Sequence, residues 1–310
     1  MEARLRLCVL GSTRYRLEHG TTMADDTSPP TGLKSHILRS LVKLPPMPQV
    51  ILRAREVMDD PDAGLRDLAR IIESDQALVA KVLSLANSAY YGIGGQVSSV
   101  QHAAVLLGLN TLGDLVILSA SSVFLDRELG GYRLAPQTVW RHSLATALLA
   151  RAIAGRRYPG LEADAFIVGL LHDAGKLILE PFVLARRAEG ASAPLPDGPL
   201  TAELERKCFG LDHAEAIALA CRFWRFPEAQ VKGVRFHHDP AGSSRSALAY
   251  IAHLANALAY RAAIDGGDET AGEIADGTLE FLQMGAEDLD PLQAEMAEAI
   301  RGLEAALPAA

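Results

Sequence analysis

Gly169-Leu170-Leu171-His172-Asp173-Ala174-Gly175-Lys176-Leu177-Ile178 sets an adjacent His-Asp pair inside an apolar run. Burying a carboxylate and an imidazole costs several kcal/mol unless the two are paired or bound to a metal, so partners are expected nearby. If the run is helical, Lys176 lies one turn beyond His172 on the same face, while Asp173 is rotated by about 100°. Nitrogen and oxygen donors together suit Zn, Mn or Fe. A hydrogen-bonded structural pair is the bland alternative.

The surroundings of this stretch are helical in pattern. The chain of 310 residues is 49% hydrophobic but only 5% aromatic. Strongly β-branched alternating runs are scarce, so the fold class expected is all-α. Thirty Lys and Arg against thirty-eight Asp and Glu leave a net charge of −8, which disfavours nucleic acid as the main partner. The three cysteines, Cys8, Cys208 and Cys221, lack zinc-knuckle spacing; free thiols in a reducing cytoplasm are the expectation. No uncharged apolar run reaches about 18 residues, so no membrane span is expected.

Four regions are expected in chain order. Residues 1–32 form a disordered extension that ends in a polar, proline-bearing linker, and Met23 offers a second start. Residues 33–130 read as an N-terminal bundle of five or six helices, including Gln49 to Met58, Leu65 to Ser74, Ser98 to Gly108 and Leu112 to Phe124. Asn87-Ser88-Ala89-Tyr90-Tyr91-Gly92 reads either as a ligand loop or as the capped end of a helix before a Gly turn. Residues 131–262 form a second helical part. Residues 263–310 comprise an acidic linker and closing helices that pack back or dimerise.

Within the second part, a helix from Thr138 carries His142, and a helix from Glu162 to Lys176 carries His172 and Asp173 about 30 residues later. That separation suits an antiparallel pair and could bring three donors together. Asp212-His213-Ala214-Glu215 has the form of a capping box, with His213 in the first turn of a helix running to Trp224. His237 and His238 end another helix before Pro240; they read as dipole-stabilised cations, metal ligands or phosphate donors. His253 and Asn256 share a face of the helix Ser246 to Arg261.

With these motifs in order, the chain resembles the HDOD family, a branch of the HD-domain superfamily found in bacterial signalling. The resemblance covers roughly residues 34 to 262. It rests on Leu44-Pro45-Pro46-Met47-Pro48, on Ile71 to Leu78 with Gln76 where the family usually has Pro, on Leu85 to Gly92, on Val97 to Val100 with Ala103 to Gly108, on Gly210 with His213, and on His237 to Pro240. The superfamily implies an all-α fold in which a first His, an adjacent His-Asp and a distant Asp hold one or two divalent ions (Fe, Mn or Zn) for phosphoester hydrolysis. Position by position, His142 matches the first His, and His172 and Asp173 match the pair; Asn256 stands where the distant Asp belongs. A carboxamide offers one neutral oxygen and binds a hard cation more weakly. The related HD-GYP phosphodiesterases of cyclic dinucleotides also use a Lys and further histidines, which Lys176, His213, His237 and His238 resemble, but their Gly-Tyr-Pro segment is replaced by Asp239-Pro240-Ala241-Gly242. The family implies a regulatory module rather than an enzyme, one that contacts signalling proteins; a homodimer is expected only if the closing helices dimerise instead of packing back. The alternative is a metal-dependent phosphohydrolase acting on a nucleotide or cyclic dinucleotide, with Lys176 steadying the phosphoryl oxygens.

Overall fold

The computed structural model describes residues 32–41, 49–189, 195, 200–262 and 272–304. The N-terminal extension with Met23, the Leu44 to Pro48 motif, most of the Ala191 to Pro199 loop and most of the acidic linker lie outside them. The described residues are helical without a strand, and a single bridge pairs Leu129 with Leu134.

The first helices are α1 (Leu33–Leu41), α2 (Gln49–Asp59), α3 (Leu65–Glu73), α4 (Gln76–Ala86) and α5 (Val100–Leu125). Asp75 starts α4 by accepting from the Ala77 and Leu78 amides, donors that a helix N-terminus otherwise leaves unpaired. Asn87 ends it and does more than cap. Its amide donates to the Leu83 and Val97 carbonyls and accepts from the Val97 amide, clasping the following loop to the helix. This stretch is therefore a structural turn, with Gly92 left-handed at φ 57°. The path of α5 breaks at Gly108 (φ 78°, ψ 173°), which gives the two expected helices as arms of one element.

α2, α3 and α4 all pack on α5. Val100–Ser121 is long and apolar enough to cross a bilayer by length and composition, although it is not an uncharged run. Burial under α2 to α4 accounts for that apolarity. The run also contains Asp114, which meets Arg151 at 2.5 Å.

The chain continues through α6 (Thr138–Arg157), α7 (Glu162–Leu171), α8 (Gly175–Ala188), α9 (Ala202–Phe209), α10 (His213–Phe223), α11 (Glu228–Arg235), α12 (Ala247–Arg261), α13 (Thr278–Leu282) and α14 (Leu289–Glu304). α6 is the hub: it packs on α5, α7, α12 and α14, and buries Leu144, Leu149 and Ile153 completely. Each such side chain contributes about 1.5–3 kcal/mol. α7 approaches α6 so closely that a Cβ on Gly169 would lie 2.7 Å from the Ala147 Cα. α11 packs on α7, α10 and α12, and α8 packs on α10.

The closing helices pack back. α14 buries Leu292, Met296, Ile300 and Leu303, and flanks α6 with the pairs Arg141–Glu304 (2.6 Å) and Arg156–Glu295 (2.7 Å), while Asp288, just before α14, pairs with Arg157 (3.2 Å). Exposed pairs of this kind contribute about 0–1 kcal/mol each, so the apolar face holds the helix.

Asp114 generates a testable consequence. Burial pushes its carboxyl up to about 6, against the pull of Arg151. A folded-state pKa above the unfolded one means that the native chain binds this proton more tightly. Stability from this group therefore falls as pH rises from about 4 to about 6, by on the order of 2–3 kcal/mol. Denaturant unfolding across that window should show the native chain gaining on Asp114→Asn as pH falls; the opposite slope refutes the assignment.

Candidate metal centre

Six segments meet at one buried point. α6 supplies His142, the turn between α7 and α8 supplies His172 and Asp173, and the first turn of α8 supplies Lys176. The first turn of α10 supplies His213, the end of α11 supplies His237 and His238, and α12 supplies Asn256. All are buried except the partly buried His238.

The expected continuous helix from Glu162 to Lys176 is two helices. α7 stops at Leu171, and turn bonds of three-residue span, Ala174 to the Leu171 carbonyl and Lys176 to that of Asp173, carry the chain into α8. The reason is tertiary: at Gly175 the chain presses on α10, where a Cβ would lie 1.9 Å from the His213 carbonyl oxygen. The break also corrects the expected face. Lys176 turns to Asp173, donating to Oδ2 at 2.7 Å, instead of sharing a side with His172.

Asp173 is the focus of the charges. Burial pushes its carboxyl up, but the Lys176 ammonium, with His172 and His213, holds it well below the usual range. Its two oxygens face different ways: Oδ2 lies 3.7 Å from His172 Nε2 and 3.9 Å from His142 Nε2, whereas Oδ1 lies 3.2 Å from His213 Nε2. Burial works against a charge on His213, yet the Glu205 and Asp173 carboxylates hold its pKa up at about 10. His213 Nε2 also lies 2.9 Å from His238 Nε2, a contact in which one ring donates to the other. Burial lowers His172 to about 4 despite Asp173, and burial with neighbouring imidazoles pushes His237 and His238 down. Three neutral imidazoles, His172, His237 and His238, beside an ionised carboxylate are in the protonation state that cation binding requires, whereas His213 must release its Nε2 proton to serve as a ligand.

The donors fit a divalent cation. The Nδ1–H of His172 donates to the Gly169 carbonyl (2.7 Å) and that of His237 to the Val234 carbonyl (2.8 Å). Both Nε2 atoms are left buried with no hydrogen-bond partner. An orphaned buried acceptor is costly, and an imidazole fixed through its far nitrogen is how metal-binding histidines are oriented. Two groups have donor atoms within 4.8 Å of one another, His142 with His172 and Asp173, and Asp173 with His213, His237 and His238. Asp173 belongs to both. Asn256 meets the centre at His142, whose Nε2–H donates to its Oδ1 at 2.8 Å. A cavity of about 460 Å³ reaches the centre past Arg206, His238, His253 and Asn256.

Two supporting residues, Glu205 and Tyr132, escaped the sequence reading. Glu205 is fully buried; its Oε2 accepts from the His213 amide (2.6 Å) and Nδ1–H (2.7 Å), and its Oε1 accepts from the Tyr132 hydroxyl (2.7 Å). The signal was present, since Ala202, Glu205 and Phe209 lie on one buried face of α9, a place for an apolar side chain. Tyr132 gave none. His253 shares a helix with Asn256, as expected, but serves differently: it donates to the His237 carbonyl (2.7 Å) and accepts from the Ala275 amide (2.9 Å).

A family model for the HDOD domain matches residues 44–240. The chain belongs to the HDOD family. Among solved structures, this HDOD chain is similar to an HDOD domain protein of unknown function from Geobacter sulfurreducens, with a TM-score of 0.71 and 20% identity, over 90% of this chain and 100% of that one. It is also similar to a protein from Shewanella amazonensis named as a phosphohydrolase, with a TM-score of 0.63 and 26% identity, over 87% and 96%. An uncharacterised protein of Treponema pallidum (strain Nichols) is 28% identical over 214 residues, 67% of this chain. The chain spans only 40% of that relative's length.

Gly175 is the steric hinge of the HDOD centre. Gly175→Ala should lower stability by on the order of 3 kcal/mol, because backbone rather than a side chain blocks the new methyl. A denaturant midpoint within error of the native one would show that α8 and α10 can part freely.

Proposed function

We propose that this protein is a cytoplasmic signalling module that acts through protein contacts, with a divalent ion held at its His-Asp centre as a binding and structural element. The observation that carries the reading is Asn256 at the place of the superfamily's distant Asp, hydrogen-bonded to His142. The centre keeps enough donors to hold a cation, yet a neutral amide occupies a position where hydrolysis calls for a second full set of anionic ligands.

His142, His172, Asp173, His213, His237 and His238 are the residues that would hold one or two ions of Fe, Mn or Zn. When bound, such an ion supplies Lewis-acid polarisation and a water of lowered pKa. The chain's own residues perform the rest. Gly169 and Val234 carbonyls fix the ring planes of His172 and His237, and Glu205 fixes that of His213. Lys176 keeps Asp173 ionised. The ion pair also occupies the ammonium that would otherwise steady a phosphoryl oxygen.

Hydrolysis of a nucleotide or cyclic dinucleotide is the second reading. It is favoured by the six convergent donors and by the name of the Shewanella amazonensis relative. Metal content and turnover of a generic phosphodiester, with Mn²⁺ or Fe²⁺ added, discriminate. The regulatory reading expects bound metal, and turnover no higher than in His172→Ala and Asp173→Ala. Turnover that disappears in both variants moves the protein to the hydrolases.

A further inference from the structure

The two donor groups that share Asp173 are not equivalent, and we infer that the centre is built to hold one ion tightly, in the group of Asp173, His213, His237 and His238, with Asn256 keeping the other group weak. This deepens the reading of the centre as a metal site and rests on it. Four observations point the same way.

The favoured group offers four donors and the other three. The carboxylate is divided: Oδ1 faces His213, while Oδ2, which faces His142 and His172, is neutralised by Lys176 at 2.7 Å. The histidines are oriented unequally. His213 Nδ1–H is held by a carboxylate, Glu205, itself fixed by Tyr132, and an imidazole backed by an anion is a more basic ligand than one backed by a carbonyl, as His172 is. Finally, both groups give up a hydrogen bond to bind an ion, but the His213–His238 contact frees two imidazole ligands of the favoured group, whereas the His142–Asn256 contact frees one imidazole and a neutral amide oxygen. Asn256 is thus the residue that sets stoichiometry, and Glu205 is a positioning residue for the tight site.

Equilibrium dialysis of the full chain against Mn²⁺ alone, with Mn counted by mass spectrometry and its spin state read by electron paramagnetic resonance, tests this. The native chain should hold one Mn²⁺ tightly and a second at least tenfold more weakly, with a spectrum of isolated ions. Asn256→Asp should tighten the second ion at least tenfold and produce an exchange-coupled pair. Glu205→Gln should weaken the first by about 10–100-fold. His238→Ala should cost first-ion affinity where His142→Ala does not, which keeps the inference testable if Asn256→Asp fails to fold. Two equally tight ions in the native chain, an unchanged second affinity in folded Asn256→Asp, or equal losses in the two His variants overturns it. Absence of Mn²⁺ binding altogether refutes instead the metal reading beneath it.

Discussion

An ionised carboxylate 3% exposed to solvent is the constraint that the second half of the molecule is built to satisfy. A bare Asp173 in that position would cost several kcal/mol, and the fold answers with Lys176 from the next helix turn and His213 from α10. Compensation at such short range requires helices at close quarters. The glycines of the His-Asp stretch are where that closeness is achieved, Gly169 against α6 and Gly175 against α10. Leu144 and Leu149 of α6 and Ile251 of α12 are fully buried in the core that carries two of these helices.

Much of this was legible in the chain because it is local. The helix start at Asp212 and the break at Gly108 between two expected helices follow from capping chemistry and backbone freedom within a few residues. The His-Asp pair stood out because charge inside an apolar run demands explanation. The split between α7 and α8 was hidden, since the apolar pattern runs on through Leu170, Leu171, Leu177 and Ile178, and the contact of Gly175 with α10 joins residues far apart in the chain. Tyr132 was hidden for a related reason: its partner lies 73 residues away, and nothing near it marks a buried hydroxyl. Glu205 was half visible, an acid on an apolar helix face.

The way the histidines are held shows a gradient of polarity across the centre. Neutral carbonyls back His172, His237 and His253, an amide engages His142, and a carboxylate backs His213. Each arrangement comes from the helix that carries the ring. His172 and His237 sit at helix ends, where unpaired carbonyls are available, whereas His213 sits in a first turn, where carbonyls point away and an acid from α9 must serve. Helix polarity alone therefore makes the centre lopsided.

The backbone contact between Gly175 and His213 has a mechanical consequence. With no side chain between them, α8 and α10 have no soft layer to absorb a change in ring spacing; any expansion of the centre displaces whole helices. Both helices reach the same outlying element. α1 leans on α8 through the edge-to-face pair of His36 and Phe182, and on α10 through Lys34 and Glu215 at 2.9 Å. A change in the spacing of α8 and α10 would therefore alter the seat of α1, the surface helix at the start of the described chain.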